Sequence, residues 1–209
     1  MMKFEWRKHA KELYMPKEKV ELLTVPEFKF LMIKGKGNPN HEQFSEAVGV
    51  LYSLSYTVKM MIKNGFTPDG YFDYTVFPLE GVWYLSEKGK LQDTIDKNEF
   101  LYTIMIRQPD FITKEIVMKA IEIVKKKKPH PLLEDVMFDT MADGSCVQML
   151  HVGSYDDEPK SFDIMKEYCT ENNLERISKV HKEIYISDAR KTEKDKLKTV
   201  LRYKVSYKE

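Results

Sequence analysis

The chain has 209 residues and a formal net charge of +1, which suits one large domain or two small halves sharing a core at roughly 100–200 residues per domain. An apolar fraction of 42% can build that core, while the balanced charge shows no basic stripe of the kind that grips phosphates. Cys146 and Cys169 are too far apart for a zinc site or a disulfide framework and point to a reducing, cytoplasmic compartment; no signal peptide or bilayer-spanning run is seen.

Met1 to Pro16 reads as a charged arm with Phe4 and Trp6 as isolated apolar anchors. Phe28–Ile33 is a β-rich run that stops at Gly35, Gly37 and Pro39. A helix follows, with Asn40 as N-cap; Phe44, Val48, Leu51, Tyr52, Ser55 and Ile62 recur at helical spacing, and Gly65 closes it after Lys63 and Asn64. Asp73–Leu85 carries strand-type residues interrupted by Pro78 and Gly81, as at an edge, a bulge or a junction of two strands. Lys88–Lys90 is a turn and Glu99–Ile106 a strand. Thr113 caps an amphipathic helix bearing Ile116, Val117, Ala120, Ile121 and Val124; its basic end, Lys125–Lys128, is read as solvated, with a nucleic-acid patch as the second option.

Beyond Pro129 and Pro131 the order repeats: a strand over Ser145–Val152, a loop bounded by Gly153 and Pro159, and a helix marked by Phe162, Met165 and Tyr168. Strand Lys179–Ser187, a short helix over Glu193–Lys198 and strand Thr199–Tyr207 complete it. The predicted class is therefore α+β, in two similar halves, 17–128 and 129–209, related by a pseudo-two-fold axis with a ligand cleft between them.

Candidate chemistry concentrates in His181-Lys182-Glu183-Ile184-Tyr185-Ile186-Ser187. Alternation puts His181, Glu183, Tyr185 and Ser187 on one face and the mainly aliphatic Val180, Lys182, Ile184 and Ile186 on the other, the face expected to lie under a helix. If the first face is solvated, Glu183 is an ordinary surface charge. If it closes a cleft, Glu183 is a desolvated carboxylate able to attract a cation or act as a general base. In the matching segment of the first half, Glu80 and Trp83 face opposite ways unless a bulge at Gly81 brings them together; Trp83 offers a flat surface for a planar ligand, or is simply core. Tyr155, in the acidic loop Asp156-Asp157-Glu158, is a rim residue or part of a solvated turn. Tyr71 and His181 complete the candidate ligand-binding set, with Glu183 and Tyr185 as candidate catalytic residues. The five histidines are scattered and no nucleotide loop, nucleophile elbow or CxxC pair occurs, so neither cofactor nor metal is expected.

The run His181–Asp188, with Arg190, Lys191 and Leu197–Arg202 behind it, resembles the C-terminal signature of the GyrI-like small-molecule-binding family. Val152-Gly153-Ser154-Tyr155-Asp156 with Pro159 resembles that family's first strand and loop in its second half, and Pro78–Trp83 resembles its stand-alone members. The resemblance implies two tandem β-α-β-β modules around a central ligand channel, with a glutamate at the place of Glu183 facing the ligand. It also implies a cytoplasmic role in drug resistance: hydrolysis of flat, cyclopropane-bearing DNA alkylators, or else an effector-binding domain that senses aromatic drugs, or protection of gyrase. The expected partner is a hydrophobic aromatic small molecule, with no nucleic acid and no membrane; oligomeric state is left open.

Overall fold

The computed structural model describes residues 3–63, 65 and 67–208. In chain order the elements are α1 (Trp6–His9), α2 (Lys11–Tyr14), β1 (Glu21–Lys36), α3 (Glu42–Lys63), β2 (Leu79–Leu85), α4 (Glu87–Lys90), β3 (Phe100–Gln108), α5 (Lys114–Lys127), β4 (Met137–Val152), α6 (Glu158–Glu171), β5 (Leu174–Arg176), β6 (His181–Tyr185) and β7 (Lys198–Tyr207), with short 3-10 turns between some of them. The class is α+β. The order β-α-β-β occurs twice, as β1-α3-β2-β3 with the one-turn α4 inserted, and as β4-α6-β6-β7 with the three-residue β5 inserted. Among the described residues no helix is long and apolar enough to cross a membrane.

Several boundaries differ from the sequence reading. The first strand runs through Gly35 instead of stopping there. Tyr102 lies directly opposite Gly35, and its ring occupies the place of a β-carbon, with a side-chain atom 2.2 Å from where that carbon would stand; glycine here admits an aromatic cover, not a turn. The helix after it begins at Glu42 rather than next to Asn40, whose amide binds the side chain of Asn38. Of its expected end, Asn64 lies outside the described residues and Gly65 has a φ of 127°. Only Leu79–Leu85 of the expected 73–85 strand is regular, and the arm forms two short helical turns. Lys88–Lys90 belongs to α4, capped by Ser86, and the helix expected near Glu193 is a 3-10 turn over Lys194–Lys196.

The described chain divides into two compact units. The first comprises residues 1–5, 28–79 and 84–141. In it β1 pairs antiparallel with β3, from Lys29 opposite Gln108 to Lys36 opposite Leu101. Leu51, Leu54 and Val58 of α3, Ile116, Val117 and Ala120 of α5, and Ile33, Ile104 and Ile106 of the strands are all buried, each large aliphatic side chain contributing about 1.5–3 kcal/mol when fully removed from water. As expected, Thr113 caps α5, its hydroxyl accepting from the Ile116 amide.

The second unit comprises residues 6–27, 80–83 and 142–209. β7 pairs antiparallel with β4, β6 and β5, and β6 pairs in turn with β2. Register assigns the faces, because residues opposite each other project to the same side. Gly81, Trp83, His181, Glu183, Leu201, Tyr203, Val147 and Met149 share one face, and Glu80, Lys182, Ile184, Val200, Arg202 and Gln148 the other. Helix α6 covers the first of these: Met165 and Cys169 join Val147, Met149, Leu201 and Tyr203 in one apolar cluster, with Phe162 against it. The sequence reading had the helix on the other side. That opposite face instead carries a buried charge network. Lys182 binds Asp143 at 2.8 Å and Glu80 at 3.3 Å, Arg202 binds Asp143 at 3.0 Å, and Tyr14 donates to Glu80 at 3.2 Å. Arg202 also donates to Gln148 and to the Leu13 carbonyl, so the N-terminal segment is tied to this face.

Candidate functional site

The site is built on the α6-covered face of the second unit. Glu183, mid-strand in β6, keeps only 12% of its side chain exposed. Its two oxygens accept separate hydrogen bonds, from His181 Nε2 at 3.1 Å and from the Tyr185 hydroxyl at 2.7 Å. A carboxylate only accepts, so the His181 proton sits on Nε2. Tyr185 in turn accepts from Trp83 Nε1 at 2.9 Å. A directed chain therefore runs from indole to phenol to carboxylate. It is made possible by Gly81, directly opposite Glu183: a β-carbon there would lie 2.6 Å from Trp83 Nε1 and 3.2 Å from the Tyr185 oxygen.

Rings wall the carboxylate. Tyr155 stands edge-on to Tyr185 at 6.0 Å, Phe162 edge-on to His181 at 5.0 Å, and the buried Trp83 completes the set. Burial, then the charges of Glu183 and Glu158, push the Tyr155 phenol up to about 12, and burial followed by Glu183 lifts Tyr185 well above the ordinary phenol range. Both hydroxyls thus stay protonated donors.

The structure adds a residue that the sequence places only in an acidic loop, a rim or a solvated turn. Glu158 opens α6 and is 6% exposed. It hydrogen-bonds Glu183, and two carboxyls can do so only if one carries a proton. Burial first, then the Glu183 charge, push the Glu158 carboxyl up to about 10. Its Oε1 is buried with no hydrogen-bond partner. The signal was present in the spacing: Glu158, Phe162, Met165 and Cys169 recur four, three and four residues apart, so a carboxyl occupies a core position of an amphipathic helix. Nearby, the buried His151 is fixed by Ser161 and the Ser154 carbonyl, both at 2.9 Å, which pins the loop leading into α6.

Of the residues singled out from sequence, the structure brings together Glu183, Tyr185, His181, Trp83 and Tyr155. Glu80 is not among them. Register through Glu80–Trp83 is one to one, without the bulge considered at Gly81, and Glu80 points to the opposite face, into the pairs with Lys182 and Tyr14. Tyr71 belongs to the first unit, where its ring packs edge-on to Phe111 at 5.6 Å. Tyr185 gives its single hydroxyl proton to Glu183.

The profile of the GyrI-like small-molecule-binding domain matches residues 18–204. The chain belongs to the GyrI-like family. A crystal structure of a hydrolase from Listeria innocua superimposes on this GyrI-like protein with a TM-score of 0.88 at 40% identity, covering 98% of this chain and 100% of that one. An uncharacterized conserved protein from the same organism gives 0.89 at 39%, over 97% and 100%. The EcmrR C-terminal domain shares the fold, with a TM-score of 0.51 at 12% identity over 91% of this chain and 98% of that one. No curated protein matches the GyrI-like chain.

Proposed function

We propose that this GyrI-like protein is a hydrolase of flat, aromatic small molecules that carry a strained cyclopropane conjugated to a ring ketone, the electrophile of a class of DNA alkylators. The observation that carries the reading is Glu183: a carboxylate mostly withdrawn from water, oriented by two donors, with aromatic faces around it. The Listeria hydrolase at 40% identity over the whole chain supports the enzymatic class.

In this mechanism Glu183 takes a proton from a water as the water's oxygen bonds to a cyclopropane carbon. The ring carbon–carbon bond breaks, and its electron pair flows to the ketone oxygen as the ring system becomes aromatic. His181 and Tyr185 fix the Glu183 oxygens, so the base needs no reorientation when charge moves. Trp83 and Tyr155 supply the apolar surface on which a planar ligand is held.

Incubation with a cyclopropane-bearing alkylator, followed by mass spectrometry, tests the proposal. Ring-opened product should exceed one equivalent per protein, and Glu183→Gln should slow turnover about 100-fold or more, the lower range for loss of a general base. Tight binding that stops at one equivalent would make the protein a drug-binding module instead. An unchanged rate in Glu183→Gln would remove Glu183 from the chemistry.

A further inference from the structure

Ring opening leaves negative charge on a ligand oxygen, and Tyr185 cannot neutralise it, because its hydroxyl proton is given to Glu183. Resting on the hydrolytic reading above, we infer that Glu158 is the general acid of this site: it enters the reaction protonated, gives its proton to the ligand oxygen, and is reloaded through its hydrogen bond with Glu183.

Three features point to this role. Glu158 occupies a core position of α6 beside Ser161 and ahead of Met165, where an ionised carboxyl is poorly solvated. It is bonded to the very carboxylate assigned as base. Its Oε1 is buried with no hydrogen-bond partner, a polar position that the fold itself leaves unfilled. The N-terminus of α6, which Glu158 opens, favours its ionisation, and burial with the neighbouring negative charges outweighs it. Glu183 and Tyr185 come from β6, and Tyr155 and Asp156 from the turn before α6. His151 of β4 is held on Ser161 one turn along.

The step balances. Water's oxygen forms the new carbon–oxygen bond, and its released proton goes to Glu183. The cyclopropane bond breaks, its electron pair reaches the ketone oxygen, and that oxygen receives the Glu158 proton to become a phenol. Glu158 is then the carboxylate and Glu183 the acid. Transfer of one proton across their shared hydrogen bond restores the starting state, with one water consumed and no redox partner required.

The test combines Glu158→Gln, which keeps size and a donor to Glu183 but has no transferable proton, with an infrared measurement that needs no turnover. At mildly alkaline pH the native protein should show a carboxylic-acid carbonyl band that is missing from Glu158→Gln. With the cyclopropane-bearing alkylator, kcat of Glu158→Gln should fall about 100-fold with KM nearly unchanged. The native rate should decline as pH rises through about 10, where Glu158 loses its proton, and the variant should lack that decline. A native enzyme that turns over without the band, or a Glu158→Gln as fast as native, overturns the role. So does a decline abolished by Tyr155→Phe and not by Glu158→Gln. If the band is present and the native protein never turns over, the hydrolytic reading fails and takes the acid role with it, while the shared proton stands.

Discussion

At the scale of single residues, the site depends on where each proton is committed. Tyr185 takes one hydrogen bond from Trp83 and gives one to Glu183, so Tyr185→Phe breaks both. A lost hydrogen bond to a charged group costs about 1.5–3 kcal/mol. Tyr185→Phe should therefore lower stability by about that amount and shift the Trp83 emission, while kcat falls roughly 10-fold through a less firmly held Glu183, each readable by fluorescence and steady-state kinetics. Glu158 behaves oppositely. Its folded-state pKa of about 10 lies above the ordinary carboxyl value, so its protonated form stabilises the fold fully at acid pH, and that contribution is lost progressively as pH rises toward 10. Glu158→Gln should thus gain thermal stability over the native protein increasingly with pH, each kcal/mol showing as about 2–4 °C in Tm for a chain of this size. Alternation in the sequence made Glu183 and Tyr185 readable as neighbours on one face. It could not show that Glu158 closes on them, because that contact joins a strand to a helix more than twenty residues earlier.

At the scale of elements, β6 is a strand with two different buried faces. One carries the Glu183 chain beneath α6; the other carries Lys182 among Asp143 and Glu80. Lys182→Met removes the cation from this network and leaves Glu80 with the Tyr14 hydroxyl as its remaining described partner and Asp143 with Arg202. Breaking a buried pair by removing one partner costs about 3–5 kcal/mol, and chemical denaturation should show a loss in that range. Gly81→Ala tests the β2 side, where a methyl group would meet the Trp83 indole. Overpacking of this kind costs about 1–3 kcal/mol, and ligand binding should weaken with it as the indole moves. The positions of most elements could be read from periodicity and turn residues. Which face of β6 lay under a helix could not, since a lysine and an aliphatic pair look like a covered or an open face until their cross-strand partners are known. Glu80 was misplaced for the same reason: its distance from Trp83 left open a bulge that the register does not contain.

For the molecule as a whole, the repeated β-α-β-β order was legible, because each half announces itself by a strand, a glycine loop and a helix with an early phenylalanine. The composition of the two compact units was less so: β1, β2 and β4 each pass from one unit to the other within a single strand, and a continuous strand pattern carries no mark of the change. The fold's response to acid follows from the second unit's network. Burial alone would raise the Asp143 carboxyl, but Lys182 and Arg202 outweigh it and hold it below the usual aspartate range. Its contribution to stability is therefore present above about pH 4, the ordinary aspartate value, and is lost as pH falls through the lower folded-state value. Melting curves across that range should show Tm dropping at the acid end, and Asp143→Asn should flatten the drop.

Both thiols of the chain are free and buried, and burial followed by the Asp143 charge pushes Cys146 up to about 11. Thiolates, not thiols, attack soft electrophiles, so if the proposed alkylator hydrolysis holds, both of these nucleophiles are kept out of the reagent's reach. The protein should survive many cycles without self-inactivation, its intact mass unchanged after prolonged exposure to an excess of the reagent.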